Sequence, residues 1–225
     1  MKKNVIIAAG GQGMRMGAQI PKQFLLLGDK PVLMHTIECF RHYCSSINIV
    51  VVLPEAQIDY WNALCLKHSF DVPHTTVSGG ETRFHSVLKG IEAIDNDGLT
   101  AVHDAVRPFV SDTTVSLCFD AAANYGAAIP VLESVESIRR VDGTNSYACS
   151  RSEYRMVQTP QVFKMELLRN AYRQPYSETF TDDASVVEAA SGHIALVEGN
   201  RENIKLTSLL DMKIGEVILA GQYWR

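Results

Sequence analysis

The amino-acid sequence predicts a single α/β domain over 1–225, with helices on both faces of a mostly parallel sheet and one projecting β-hairpin arm. Short apolar runs alternate with longer amphipathic stretches along the whole chain. These runs lack polar alternation, which is typical of strands that are covered on both faces. One polar segment breaks the rhythm and contains a hairpin-turn sequence. A hydrophobic content of 46% is enough to fill one core.

Five apolar runs are predicted to be strands. The first, NVIIAA at 4–9, ends at a glycine-rich loop, and INIVVVLP at 47–54 repeats its character. The other three are 99–104, 125–131 and 193–199.

Five stretches between and after these runs are predicted to be helices, and they supply the crossovers that a parallel sheet requires. They are 30–43, 81–94, 111–125, 182–191 and 207–219. Ser111 is the predicted N-cap of the third, and Thr181 is a candidate cap of the fourth.

The segment 131–160 has no helical stripe and alternates roughly around DGTN at 142–145. We predict a projecting β-hairpin there. A two-stranded arm cannot bury both of its faces by itself. A partner subunit would cover it, so we expect a homodimer formed through an arm at about 131–158.

Charge and cysteine content narrow the function classes. With 21 basic and 25 acidic residues, the net charge of −4 gives no general field for nucleic acid, so a local cluster must hold any anion. The five cysteines are scattered without a C-x-x-C motif, as in reduced cytoplasmic proteins. No apolar run is long enough for a signal peptide or a membrane span, so we expect no membrane partner.

The loop AGGQGMRMG follows the first predicted strand, where ligands bind in open α/β sheets. Gly10, Gly11 and Gly13 would let backbone N–H groups approach an anion closely. Arg15 and Lys22 would then stabilise charge on a triphosphate that is attacked at its α-phosphorus. The alternative is that both cations are solvated surface charges.

Common nucleotide-binding motifs do not fit this loop. The P-loop pattern is absent, and the third position of G-x-G-x-x-G is Met16, with Gly17 one place late. An NAD(P)-dependent oxidoreductase would also need an acidic residue after the second strand, and none is evident there.

The stretch AGGQGMRMGAQIPKQF resembles the N-terminal signature of the 2-C-methyl-D-erythritol 4-phosphate cytidylyltransferases of the non-mevalonate isoprenoid pathway. The resemblance implies a nucleotidyltransferase that joins CTP to a sugar-alcohol phosphate, releases pyrophosphate and uses Mg²⁺. It also implies a Rossmann-like fold with a β-arm that swaps across a homodimer. Further matches follow in order: VSGGETRFHSVLKGI (77–91), VHDAVRPFV (102–110), TPQVFKMELL (159–168), FTDDAS (180–185) and VEGNRENIKLT (197–207).

The resemblance assigns roles to individual residues. The catalytic residues are Arg15, Lys22, Arg151 and Lys205. The residues around CTP are Ala9, Gly10, Gly11, Gly13, Gly80, Glu81, Ser86, Asp104 and Ala105, and Asp104 is also the Mg²⁺ ligand. The residues around the acceptor are Arg107, Ser137, Arg151, Thr159, Thr181 and Lys205.

Several of these residues have simpler alternative roles. Asp104 could cap the following turn, and Arg107 could pair with it instead of with the acceptor. Lys205, predicted in a short strand, could be an edge-strand lysine. Arg83 could be a charge on a helix face or part of the pocket wall, and His103 receives no role.

The predicted reaction is in-line attack of the acceptor phosphate on the CTP α-phosphorus, driven by positioning and charge stabilisation. One alternative keeps the chemistry and uses ribitol 5-phosphate as the acceptor. Another is a non-catalytic nucleotide-binding regulator, which would bind CTP and release no pyrophosphate.

Overall fold

The computed structural model describes residues 1–10 and 20–221. The strands in this part of the chain are β1 (Lys3–Ala8), β2 (Leu26–Leu27), β3 (Lys30–Pro31), β4 (Asn48–Leu53), β5 (Thr75–Ser78), β6 (Leu99–Asp104), β7 (Ala127–Glu133), β8 (Ile138–Asp142), β9 (Asn145–Cys149), β10 (Arg155–Val157), β11 (Gln161–Lys164) and β12 (Ala195–Glu198). The helices are α1 (Val32–Tyr43), α2 (Glu55–Lys67), α3 (Arg83–Glu92), α4 (Asp112–Tyr125), α5 (Met165–Ala171), α6 (Asp183–Ala189) and α7 (Leu209–Gly221).

The main sheet has the strand order β10-β7-β11-β6-β1-β4-β5, and β12 pairs with β7. The pairs β1–β4, β1–β6 and β7–β12 are parallel, as the apolar runs predict, and β4–β5 is parallel as well. Strand β11 runs antiparallel between β6 and β7, and β10 is antiparallel to β7. The α/β class with a mostly parallel sheet is confirmed. Strand β10 lies within the β-arm predicted at about 131–158, whereas β11 was not predicted, because it is too short to give a periodic signal.

Both faces of the sheet are buried, which explains the unbroken apolar runs. On β1, Val5 and Ile7 point into one core with Trp61. Ile6, between them, points into a second core with Phe84. Successive side chains of a strand face opposite sides, so a central strand covered on both faces must be apolar throughout.

Helix α4 begins as predicted, because the Ser111 hydroxyl accepts a hydrogen bond from the Thr114 N–H at 3.1 Å. The cap predicted for the next of these helices, α6, is wrong by one residue. Asp182 caps α6 by accepting from the Ser185 N–H at 2.9 Å, and the Ser185 hydroxyl accepts in return from the Asp182 N–H. A carboxylate at this position satisfies the first-turn donors and also favours the helix dipole, so it displaces Thr181 as the cap.

Helix α2 and strand β5 were not predicted. Helix α2 buries only Trp61 and Leu64, so its apolar stripe is weak. Strand β5 reads TTVS and forms the sheet edge with no fully buried residue. Elements that bury little surface carry little hydrophobic periodicity.

Strands β8 and β9 form a separate two-stranded antiparallel hairpin that turns within the predicted DGTN sequence. Gly143 adopts a φ of +58° in the turn, a conformation that glycine reaches without steric cost. Nearly every residue of the two strands is exposed. Whether this hairpin covers a partner subunit stays a prediction.

In residues 1–10 and 20–221, no helix combines the length and the apolar character needed to cross a bilayer.

Candidate active site

A cavity of about 230 Å³ opens at the carboxyl ends of β1 and β6. Parallel strands expose their ligand-binding loops at this edge of the sheet. The walls come from residues that follow β1, from the start of α3, from the turn after β6, and from two lysines. By number they are 8–10, 22–23, 80–83, 86, 104–106 and 205.

Many of the predicted site residues meet at this cavity. Those that line it are Ala9, Gly10, Lys22, Gly80, Glu81, Ser86, Asp104, Ala105 and Lys205. Three others, Gly11, Gly13 and Arg15, lie outside the described residues. Residues from four distant parts of the sequence therefore converge where the resemblance places CTP.

Asp104 is the buried carboxylate of the cavity, with 8% of its surface exposed. Its Oδ2 atom accepts hydrogen bonds from Arg107 Nε at 3.1 Å and from Lys205 Nζ at 3.0 Å. Burial opposes ionisation, but the charges of Lys205, Arg83 and Arg107 outweigh it and hold the pKa of Asp104 well below its usual range. Asp104 is therefore a fixed negative charge at neutral pH.

Lys205 reaches Asp104 from a loop, and the prediction that it lies in a short strand is wrong. Residues 203–207 have no regular secondary structure. Among the described residues, the segment is held by single contacts such as the hydrogen bond from the Leu206 N–H to the Val106 carbonyl at 2.9 Å. Its apolar alternation, Ile204 and Leu206, reflects packing beside α7 and not pairing in a sheet.

Arg107 is fixed between two partners. Besides Asp104, its Nη1 atom donates to the Asn203 carbonyl at 2.7 Å. The alternative in which Arg107 pairs with Asp104 is what the described residues show. Its contact with the acceptor stays a prediction.

The turn before α3 requires glycine at two positions. A Cβ at Gly80 would lie 2.4 Å from His85 Cβ, and a Cβ at Gly79 would lie 2.8 Å from Ser86 Oγ. The Ser86 hydroxyl accepts from the Gly80 N–H at 3.2 Å and lies 3.3 Å from the Gly80 carbonyl. This tight turn places backbone polar groups and one hydroxyl at the cavity wall.

Arg83, for which the sequence left two alternatives, is part of that wall. Its two terminal nitrogens pair with Asp183 at 2.9 and 2.6 Å, and the Tyr172 hydroxyl donates to the same carboxylate at 2.6 Å. Burial opposes the charge, but Asp183 raises the pKa of Arg83 above its usual value. The pair joins α3 to α6 and brings a positive charge close to Asp104.

Gln23 was not assigned a role from the sequence, although it lies in the matched PKQF stretch. Its Nε2 atom donates to the Ala9 carbonyl at 2.9 Å and to Gln57 Oε1 at 2.9 Å. Because Gln23 directly follows Lys22, these bonds fix the segment that carries Lys22 to the chain just after β1. The sequence did not indicate this role, because the carbonyl that Gln23 binds lies 14 residues away along the chain.

Thr159 lies behind Asp104, with 6% of its surface exposed. Its hydroxyl accepts from the Asp104 N–H at 3.1 Å and lies 3.0 Å from His103 Nδ1. Burial lowers the pKa of His103 to about 4, so the imidazole is neutral at neutral pH. The predicted contact of Thr159 with the acceptor stays a prediction.

Three predicted acceptor residues lie away from the cavity within one chain. Ser137 and Arg151 are exposed on either side of the hairpin β8–β9, in the arm predicted at 131–158, which is called the hairpin segment below. Thr181 is exposed before α6. Arg151 Nη1 donates to the Val135 carbonyl at 2.9 Å. Whether these three residues contact the acceptor stays a prediction.

A larger hollow, of about 440 Å³, lies beside α1 and contains none of the predicted site residues. Lys30 Nζ pairs with Glu38 at 2.7 Å, and His42 Nδ1 lies 3.0 Å from Asp112. The smaller cavity is the better candidate because it combines a glycine turn, a buried carboxylate and several cations.

The family model described as 2-C-methyl-D-erythritol 4-phosphate cytidylyltransferase matches residues 4–221. A protein of that name from Bacteroides thetaiotaomicron is 52% identical over 97% of this chain and 100% of its own length. One from Porphyromonas gingivalis is 50% identical over 98% of this chain and 99% of its own.

Solved structures agree with these relatives. The enzyme of the same name from Thermus thermophilus superposes with a TM-score of 0.80 at 31% identity, covering 98% of this chain and 100% of that one. The 4-diphosphocytidyl-2C-methyl-D-erythritol synthase from Anaerococcus prevotii gives a TM-score of 0.82 at 25% identity, covering 97% and 98%. The chain therefore belongs to the 2-C-methyl-D-erythritol 4-phosphate cytidylyltransferase family.

Proposed function

We propose that this chain transfers a cytidylyl group from CTP to 2-C-methyl-D-erythritol 4-phosphate and releases pyrophosphate. The observation that carries the proposal is the convergence of Lys22, Asp104 and Lys205 with the glycine turn at one cavity, in a chain of this family. Cations of this kind stabilise the charge of a triphosphate. The polar backbone groups of a tight turn can form hydrogen bonds with a nucleobase.

The reaction is an in-line displacement. An oxygen of the acceptor phosphate forms a bond to the α-phosphorus of CTP, while the bond from that phosphorus to the pyrophosphate oxygen breaks. The attacking phosphate is already charged, so the protein need not supply a nucleophile or a strong base. Positioning and charge stabilisation remain as the protein's contribution.

Lys22 and Arg15 stabilise the negative charge that grows on the reacting phosphoryl group. Lys22 lines the cavity, and Arg15 comes two residues after Gly13 in the glycine-rich loop that follows β1 in the sequence. Lys205 holds the acceptor phosphate. The 3.0 Å contact of Lys205 Nζ with Asp104 keeps the lysine at the cavity. Arg107 and Thr181 serve the acceptor as well.

Cytosine lies against Gly80, Glu81 and Ser86. Backbone groups and one hydroxyl match the amino donor, ring-nitrogen acceptor and carbonyl of this base. The Ser86 hydroxyl is held by Gly80 and so is already oriented. A base subsite too small for a purine would add to this selectivity.

Mg²⁺ fits this donor set. The ion commonly uses one or two carboxylates together with substrate phosphates and water, and Asp104 is ionised at the cavity. The described residues contain no cluster of three or more His, Cys, Asp or Glu that could hold a metal without substrate. Asp104 would hold the ion, which when bound supplies charge neutralisation for the triphosphate.

The acceptor side is completed by a second subunit. Ser137 and Arg151 are exposed on the hairpin segment, away from the cavity of their own chain, and would reach the site of the partner. The same segment exposes several apolar side chains that a partner would cover: Val135, Val141, Tyr147, Tyr154, Met156 and Val157. We also place the enzyme in the cytoplasm, in keeping with its five cysteines, none of which forms a disulfide.

One assay tests the proposed reaction. The protein is incubated with Mg²⁺, with each nucleoside triphosphate in turn, and with methylerythritol phosphate or ribitol 5-phosphate, and pyrophosphate is measured. CTP with methylerythritol phosphate should be the best pair. Comparable turnover with ribitol 5-phosphate, UTP or ATP would contradict the proposal, and CTP binding without pyrophosphate release would favour a regulator.

A further inference from the structure

His103 is a buried residue to which the proposed reaction gives no role. It occupies the last but one position of β6, directly before Asp104, and none of its surface is exposed. Its ring packs edge-on against Phe40 with the ring centroids 4.8 Å apart. Its Nε2 atom lies 3.0 Å from the Arg107 carbonyl oxygen, and its Nδ1 atom lies 3.0 Å from Thr159 Oγ1.

The partners determine the direction of every hydrogen bond in this group. A carbonyl oxygen only accepts, so His103 Nε2 carries the proton and donates to Arg107. The Asp104 N–H only donates, so the Thr159 oxygen accepts from it at 3.1 Å. The Thr159 hydroxyl proton is then available for His103 Nδ1, which accepts it. All donors and acceptors in the chain of hydrogen bonds are thereby paired.

These bonds hold both ends of one turn. The Asp104 N–H is held through Thr159, and the Arg107 carbonyl is held directly by His103. A hydrogen bond of 3.1 Å from the Arg107 N–H to the Asp104 carbonyl closes the turn between them. The side chains of the two residues at its ends also contact each other, because Arg107 Nε donates to Asp104 Oδ2.

We infer that His103 is a positioning residue that, together with Thr159, holds the turn 104–107 so that Asp104 and Arg107 present their charges to the cavity in one geometry. The inference rests on the proposed function for what those charges bind. It also explains the two partners that the Thr159 hydroxyl has inside the protein. Residues that orient a ligand-binding group typically change affinity or activity by about 10- to 100-fold when they are removed.

Two removals and one matched control test this inference. His103→Leu and Thr159→Val each break the chain of hydrogen bonds, whereas Thr159→Ser keeps the hydroxyl. For each variant, kcat and the KM of both substrates are measured, and CTP affinity is measured by titration calorimetry in the presence of Mg²⁺. Both removals should lower kcat/KM about 10- to 100-fold and weaken CTP binding, and Thr159→Ser should stay within a few-fold of wild type.

A double variant sharpens the test. Because His103 and Thr159 share one hydrogen bond and hold the same turn, His103→Leu combined with Thr159→Val should cost less than the sum of the two single changes. Should His103→Leu fail to fold, His103→Asn keeps an acceptor near Nδ1 and His103→Gln keeps a donor near Nε2. If these two variants fail to fold as well, the comparison of Thr159→Val with Thr159→Ser decides the question.

Two results would overturn the inference. One is unchanged CTP affinity in both removal variants; the other is a Thr159→Val variant that raises only the acceptor KM, which would mean that Thr159 contacts the acceptor directly. The calorimetric measurement needs no turnover, so it judges the inference even if wild-type protein releases no pyrophosphate. That last outcome would contradict the proposed function and not the positioning role.

Discussion

The cavity at the end of β1 and β6 and the hairpin β8–β9 differ in how their charged residues are held. At the cavity, Asp104 is almost fully buried and accepts from both Arg107 and Lys205. On the hairpin segment, Arg151 is exposed and its guanidinium donates to the Val135 carbonyl on the same segment. On the proposed function, one chain preorganises the CTP half of the site, and the acceptor half would depend on a second chain.

The largest effect should come from the preorganised half. Lys22→Ala should lower kcat by about 100-fold, the usual scale for losing one charge-stabilising donor at a reacting centre. Arg15→Ala should do the same. Because Lys22 lies in a short 3₁₀ turn at the cavity, its loss should leave the thermal unfolding temperature nearly unchanged.

Steady-state kinetics with the exposed Lys67→Ala variant as the control would check this prediction. If Lys22→Ala retained a near-normal kcat, Lys22 would have no catalytic role.

Arg151→Ala should separate the two halves. It should lower kcat/KM for the acceptor by about 10- to 100-fold, the loss expected for one hydrogen bond to a charged group. CTP affinity should stay the same, because Arg151 belongs to the acceptor side. Arg140→Ala, also exposed on the hairpin, is the matched control. A parallel loss of CTP affinity in Arg151→Ala would show that the hairpin also shapes the CTP half.

Gly80→Ala tests the tightness of the CTP half. The added Cβ would lie 2.4 Å from His85 Cβ, so the turn must shift. Overpacking of this kind costs about 1–3 kcal/mol, and we expect the KM for CTP to rise by about tenfold or more. The acceptor KM should change little. An unchanged KM for CTP would mean that this turn does not contact the nucleotide.

Gly143→Ala is the corresponding change on the hairpin and should have the smallest effect. Among the described residues other than its chain neighbours, no heavy atom lies within 4 Å of the added Cβ, so the cost comes from the φ of +58°. That conformation costs an L-residue about 1–2 kcal/mol. The acceptor KM should rise a few-fold at most while the CTP KM stays constant. A loss as large as that of Gly80→Ala would show that the turn itself contacts substrate or partner.

Features set by local sequence could be predicted. The parallel strands, the Ser111 cap and the DGTN turn each depend on a few neighbouring residues. The loop around Lys205 was mistaken for a strand because Ile204 and Leu206 alternate as strand residues do. The antiparallel strand β11 was missed because four residues are too few for a periodic signal.

The candidate site divides in the same way. Asp104 could be predicted because it ends an apolar strand. The bond between His103 and Thr159 could not, since 56 positions separate them and only the folded sheet brings them together. Nor could the pairing of Arg83 with Asp183, which joins residues 100 positions apart.

The most direct test of the composite site mixes two impaired variants and measures activity at an acceptor concentration well below KM. Lys22→Ala and Arg151→Ala homodimers are each crippled, but a heterodimer regains one site that contains both residues. After subunit exchange, random pairing makes about half of the dimers heterodimers with one working site of two, so activity should recover to about a quarter of wild type. If verified heterodimers show no recovery, Arg151 does not act across subunits, and the division of the site between two chains is wrong.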